Sequence, residues 1–429
     1  MTAPLRVPGA ASPARDVEGR GIWRDGLLAG LHPADLASTF GTPLYVYDLD
    51  LVAARARMLR ARVPARADIA YAVKANPSLA VIAAALSGCT GADVSSAGEL
   101  EAARRAGVPP TSIVVTGPGK SDRFLGQAVR SGVRAVVVES PGELGRLERI
   151  ADDAGVVVPV LFRLPAHEGQ VFGMSAEDAI EAARRAVASP VLEPLGVHAF
   201  GVSAEVDPAV LAAHVERTVE AGRRLSREAG FALRLVDAGG GLGIPYADGD
   251  APLDPAVLGD HLGRLDEALA DDPATRDTRV LLEPGRFLVA PAGAYLARVM
   301  DVKRLHGRHV AVLDGGINHL LAPALVGRHH RLRLVGSPQP GDRDPVPTDL
   351  VGPLCTGLDV LARPDAFPEA RPGDLIVALD VGAYGFTQSM PWFLSHEGPA
   401  EVGVRGGHAW LLRQRLDPAD LVAGQRMPD

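Results

Sequence analysis

The sequence predicts an α/β protein, a (β/α)8 TIM-like barrel joined to a C-terminal β-sandwich or β-barrel domain, and three observations carry that prediction. From Pro43 onward, short β-branched runs alternate with stretches rich in Ala, Arg, Glu and Leu, as in repeated βα units on a parallel sheet. The chemically unusual residues fall where those runs end, at Lys74, Ser203, Gly239 to Gly243 and Glu283 to Arg286, and such barrels keep their chemistry at the carboxyl ends of their strands. After Ala290 the pattern changes to extended runs between Gly, Pro and Asp turns.

In chain order, residues 1–20 read as a mobile leader rich in Ala, Pro and Arg, and 21–42 as an N-terminal segment packing on the β domain. The barrel is assigned residues 43–289, with strands expected at 44–47, 69–73, 92–94, 113–115, 135–138, 158–164, 196–200, 233–237 and 280–283. Apolar residues recurring every three to four positions place helices between them, for example at 97–106 and 176–188. The β domain is assigned 290–429, with extended runs at 310–313, 375–379 and 410–413 and an exposed Pro/Gly/Asp loop at 331–349.

Bulk properties exclude several classes. At 429 residues the chain exceeds what one core usually serves, so two domains are expected. A hydrophobic content of 47% with 22% charged residues belongs to a folded globular chain. The net charge of −8, with no Lys/Arg stripe, excludes nucleic acid as the expected partner. Cys89 and Cys355 cannot build a disulfide framework, the first residues lack the apolar run of a signal peptide, and no stretch reaches the length of a membrane span. A cytoplasmic protein without membrane attachment is expected.

Five segments carry the chemistry. A lysine at a strand end, as in Tyr71-Ala72-Val73-Lys74-Ala75-Asn76-Pro77, is by itself an ordinary surface cation. The run Asp237-Ala238-Gly239-Gly240-Gly241-Leu242-Gly243 is either a turn or a loop whose bare amides approach a phosphate. Glu283-Pro284-Gly285-Arg286, Gly352-Pro353-Leu354-Cys355-Thr356-Gly357-Leu358-Asp359 and Asp380-Val381-Gly382-Ala383-Tyr384-Gly385 complete the set.

With these motifs in this order, from about Thr42 to Val402, the chain resembles the fold-type III pyridoxal-phosphate decarboxylases, the group containing diaminopimelate, ornithine and arginine decarboxylases. The resemblance implies pyridoxal 5'-phosphate bound covalently by Lys74, with Asp93 either orienting that lysine and the cofactor or capping a helix. It implies further that Ser203, Gly240, Gly241, Gly285, Arg286 and Tyr384 hold the cofactor, while Glu283 pairs with the ring nitrogen. Alanine racemases of the same fold type place an arginine there, so Glu283 implies decarboxylation. Cys355 matches the residue that family homodimers contribute across a shared active site to protonate the α-carbon. No metal is implied. Cys89 lacks such company and reads as core.

Departures from the family pattern bear on the substrate. Phe200 stands where family members stack a histidine on the ring, and His198 lies two residues earlier on the same strand face. Arg286, Thr356 and Tyr384 are the residues implied to touch substrate. Thr356 replaces the acidic residue that binds the distal ammonium of basic substrates, and Ala322 and Val326 replace the arginine and tyrosine of the diaminopimelate enzymes. A charged substrate end would therefore lie unpaired, at a cost of several kcal/mol.

This pattern, with the tail Met390 to Val402, is similar to a secondary-metabolite subgroup that decarboxylates amino acids held on carrier proteins. The expected reaction is α-decarboxylation of an aspartyl, 3-methylaspartyl or glutamyl group on an acyl carrier protein, giving a β- or γ-aminoacyl carrier. The alternatives are a free-amino-acid decarboxylase of the diaminopimelate type and a non-catalytic decarboxylase homologue.

Overall fold

A computed structural model describes residues 21–247, 249–335 and 343–428; the expected leader at 1–20 lies outside them. Two units divide the chain: one comprises Ala53–Ile244 and Ala251–Leu288, the other Met1–Val52, Pro245–Asp250 and Val289–Asp429.

The first unit is a closed barrel of eight parallel strands, Asp68–Ala72, Gly91–Val94, Ile113–Val115, Ala135–Val138, Val158–Arg163, Leu192–His198, Leu235–Asp237 and Arg279–Leu282. The last strand closes on the first through Leu281 opposite Asp68 and Leu282 opposite Ile69. The intervening helices start and stop on local signals. Ser96, Ser121, Ser140 and Ser175 each accept a hydrogen bond from the amide three residues on, a cap worth about 1 kcal/mol. Gly132, Gly155 and Gly230 end three of the helices in the left-handed conformation.

Alternation along the strands sets up the functional end of this barrel. Ala70, Val114, Ala135, Val137, Leu161, Leu235 and Leu281 fill the interior as an apolar cluster. Two residues further along, on the same face, come Ala72, Thr116, Glu139, Arg163, Asp237 and Glu283. Register adds two more: Asp93 lies beside Ala72, and His198 lies beside both Arg163 and Asp237. A polar ring thus caps an apolar plug at the carboxyl ends of the strands.

The expected strand at 44–47 is real but does not belong to the barrel. Leu44–Asp48 pairs antiparallel with Gly293–Leu305 and parallel with Ala400–Arg405, so the barrel begins at Asp68 and the expected boundary at 43 is corrected. All five residues of Leu44–Asp48 are buried, and a strand covered on both faces has the same continuous apolar run as a barrel strand.

In the second unit, Gly293–Leu305 also pairs with Leu375–Leu379 through its first half and with Arg308–Leu313 through its second, with a register shift between Val299 and Asp301. Ile22, Leu28, Leu31 and Leu36 pack into one core with Leu44, Val46, Leu296, Val377 and Val402. The segment 331–349, expected as an exposed loop, contains the strands Leu332–Val335 and Pro345–Val346 and the start of Thr348–Val351; residues 336–342 lie outside the described ones. Among the described residues no helix is long and apolar enough to cross a membrane.

Candidate active site

Lys74 sits on the short 3-10 turn Val73–Ala75 that follows the first barrel strand. Its Nζ lies 2.5 Å from Oδ2 of Asp93; the lysine side chain is 40% exposed and the aspartate fully buried. Thr116 donates its hydroxyl proton to the other Asp93 oxygen. Burial, and next the charge of Glu283, raise the Asp93 pKa, while the Lys74 ammonium opposes them.

Two segments distant in sequence are locked together around this lysine. Tyr71 donates to the carbonyl of Asn76 at 2.9 Å, which tightens the turn. The amide of Ala72 donates to the carbonyl of Pro284. A Cβ on Gly285 would stand 2.7 Å from Cβ of Ala75, so only glycine lets the Glu283–Arg286 loop lie flat against the Lys74 turn. Arg286 is half-buried and opens the helical turn Arg286–Val289.

Glu283, His198 and Asp237 form the deepest part of the ring, with their ligand atoms within 4.8 Å of one another. His198 Nε2 is 3.7 Å from Glu283 Oε2, too long for a hydrogen bond. Among the described residues, Glu283 Oε1, Asp237 Oδ2 and His198 Nδ1 have no hydrogen-bond partner. Burial alone would raise the Glu283 pKa; the Lys74 charge, followed by His198, overrides it and holds the carboxyl at about 2. Asp237 is driven the opposite way, first by burial and then by the charge of Glu283.

The glycine run packs against Asp237 and Glu283. Gly239 donates its amide to Asp237 Oδ1 at 2.9 Å. A Cβ on Gly240 would meet the Glu283 carbonyl at 2.3 Å, so close backbone passage accounts for that glycine, and Gly241 follows it in a left-handed conformation. The Phe200 ring packs on Gly239, and Gln170 Nε2 donates to the Phe200 carbonyl at 2.9 Å. Ser203 is exposed on the loop beyond.

Sequence reasoning missed four polar members of the ring. Asp237, which opens the glycine motif, and Thr116, Glu139 and Arg163 all continue the inward phase of their strands, a signal legible once the strand limits are known. Arg163 Nη1 lies 2.5 Å from Glu139 Oε1, with the Phe172 ring 4.7 Å from the guanidinium.

The remaining expected residues lie in the β unit. Cys355 is exposed, on the loop between Thr348–Val351 and Val360–Ala362. Asp359, 3% exposed, anchors that loop: its two carboxylate oxygens accept the amides of Ile317 and Leu354, each at 2.8 Å. Thr356 is half-buried, and its hydroxyl oxygen accepts the Leu358 amide at 3.3 Å. Tyr384 is half-buried with φ of 54°, a strained value for a non-glycine residue. Ala322 and Val326 bound one short helix, the first buried and the second exposed. Cys89 is buried, and burial pushes its thiol up to about 12, so it is inert packing.

The residues of the barrel end fit pyridoxal phosphate. A buried anionic carboxylate with an unpartnered oxygen calls for a cationic N–H, which a protonated pyridine supplies, and an accessible lysine lies in the same ring.

Comparison with known proteins agrees with this geometry. Residues 49–290 match the family model described as pyridoxal-dependent decarboxylase, pyridoxal binding domain. The chain is 35% identical to diaminopimelate decarboxylase of Mycobacterium tuberculosis, covering 92% of this chain and 94% of the relative. It is 30% identical to L-glutamyl-[BtrI acyl-carrier protein] decarboxylase of Niallia circulans, covering 91% and 95%. The crystal structure of diaminopimelate decarboxylase from M. jannaschii in complex with L-lysine superimposes with a TM-score of 0.86 at 27% identity, over 96% of this chain and 99% of that one.

Proposed function

The chain belongs to the pyridoxal-dependent decarboxylases, and from that premise we propose that its substrate is an aspartyl, 3-methylaspartyl or glutamyl group held through its side-chain carboxyl on an acyl carrier protein. The chain is a carboxy-lyase that uses pyridoxal phosphate. The observation that carries the substrate assignment is the trio Thr356, Ala322 and Val326, which offers no charge to a distal ammonium or carboxylate. A thioester removes the distal charge and so suits uncharged positions of this kind. The similarity to a decarboxylase of a carrier-bound glutamyl group supports the reading.

When bound, pyridoxal phosphate supplies the electron sink for the electron pair left on the α-carbon as carbon dioxide departs. Lys74 holds the cofactor, and Asp93 holds Lys74. With the cofactor bound, Glu283 would pair with the ring nitrogen, Ser203, Gly240, Gly241, Gly285, Arg286 and Tyr384 would hold the cofactor, and Phe200 would face the ring. Arg286, Thr356 and Tyr384 contact the substrate, and the α-carbon takes its proton from Cys355 or Lys74. In this reading Cys355 comes from a second copy in a homodimer. A Cys355→Ala subunit mixed with a Lys74→Ala subunit is expected to recover activity; two inactive parents giving an inactive mixture would count against it.

A second reading, decarboxylation of free diaminopimelate, is favoured by the names of several relatives. Intact-mass spectrometry separates the two. The protein is supplied with pyridoxal phosphate and with aspartyl, 3-methylaspartyl and glutamyl carriers, and loss of one carbon dioxide from any of them supports the proposal. Loss from free diaminopimelate alone sinks it.

A further inference from the structure

Asp237 is fully buried and stands beside Glu283, yet the chemistry above gives it no task. Its Oδ1 takes the Gly239 amide at 2.9 Å, while Oδ2 has no donor among the described residues. Glu283 Oε1 also lacks one. Both side chains sit with His198 in a cluster whose ligand atoms lie within 4.8 Å. Two carboxylates this close and buried repel each other when both are ionised, which favours one proton held between them. The Lys74 ammonium acts on Glu283, whereas Asp237 Oδ1 takes a backbone amide and Oδ2 faces the cluster with His198 and Glu283 without a donor.

We propose that Asp237 is kept as the neutral acid and donates its proton to Glu283, acting as the positioning residue that fixes the glutamate side chain and leaves it the single anion of the pair. Burial and the Glu283 charge, which raise the Asp237 pKa, act in the same direction. A second anion in this pocket would compete with Glu283 for a cationic ring nitrogen. A neutral donor instead occupies one Glu283 lone pair and leaves the remainder for the cofactor. The inference rests on the cofactor reading only for the role of Glu283, because the state of Asp237 can be measured without any substrate.

The test is difference infrared spectroscopy of the protein with pyridoxal phosphate bound at pH 7. Subtracting Asp237→Asn from wild type is expected to leave the carbonyl stretch of one neutral carboxylic acid. Asparagine reproduces both hydrogen bonds without charge, so Asp237→Asn should keep cofactor affinity within about 3-fold and leave the ring-nitrogen chemical shift of labelled cofactor in place. Asp237→Leu, which orphans Glu283, should weaken cofactor binding by about 10-fold or more and move that shift. If neither variant folds, the wild-type protein alone decides, since its neutral-acid band should persist at a pH where an ordinary aspartate is ionised. Absence of the band at pH 7 would overturn the proposal. So would equal damage from the two variants, or a stoichiometric divalent metal on His198, Asp237 and Glu283 in the purified protein. A protein that shows the band but decarboxylates nothing keeps this inference and loses the proposed function.

Discussion

Lys74 Nζ and Asp93 Oδ2 lie 2.5 Å apart, joining the exposed end of one barrel strand to the buried interior of the next. The aspartate is itself held by Thr116, so the lysine is aimed by a fixed anion. Replacing Asp93 with Asn keeps the volume and removes the charge. Because Lys74 is 40% exposed, solvent screens the pair, and the loss is expected at about 1–2 kcal/mol, or about 10-fold in cofactor affinity. Titration with pyridoxal phosphate, followed by absorbance, measures it; affinity equal to wild type would contradict the pairing. Lys74→Ala is expected to abolish both the covalent absorbance and the activity.

The Cys355 loop depends on a carboxylate wedged between two glycines. A Cβ on Gly316 or Gly352 would come within 2.0 or 2.4 Å of an Asp359 oxygen. Gly352→Ala should therefore cost about 1–3 kcal/mol through overpacking, and Asp359→Ala a similar amount for each amide left without an acceptor. Thermal unfolding reads both. Melting temperatures unchanged from wild type would show that the loop is anchored elsewhere.

His319 gives the protein an acid-sensitive core. It is buried beside Tyr295, with Nε2 2.9 Å from the Glu397 carbonyl, and burial lowers its pKa from 6.5 to about 4. Between those values the unfolded chain binds a proton that the folded chain does not, so stability falls as pH drops from 6.5 toward 4 and this contribution levels off below. The full contribution is about 3 kcal/mol. Denaturant unfolding across this range should show a shallower acid slope for His319→Gln than for wild type; parallel slopes would reject the assignment.

The sequence made the fold legible where patterns were local. Short β-branched runs, with helices of three-to-four-residue apolar periodicity between them, marked all eight barrel strands. Leu44–Asp48 was misplaced because a strand buried on both faces has the same composition in either sheet. Of the residues brought together at the barrel end, Lys74, Asp93 and Glu283 were singled out by their motifs, whereas Glu139 and Arg163 carry no motif and emerge only from strand phase and register. Asp237 was read as part of a glycine loop, and its relation to Glu283 arises from the pairing of strands more than forty positions apart, counting from Asp237 to Glu283 in the chain.

The measurement that bears most directly on the central claim is the ratio of kcat/KM for a carrier-bound acidic amino acid to that for free diaminopimelate, with the same preparation loaded with pyridoxal phosphate. The uncharged positions at Thr356, Ala322 and Val326 predict a ratio well above one, on the order of 100 if a single unpaired charge separates the substrates. A ratio at or below one would contradict the account.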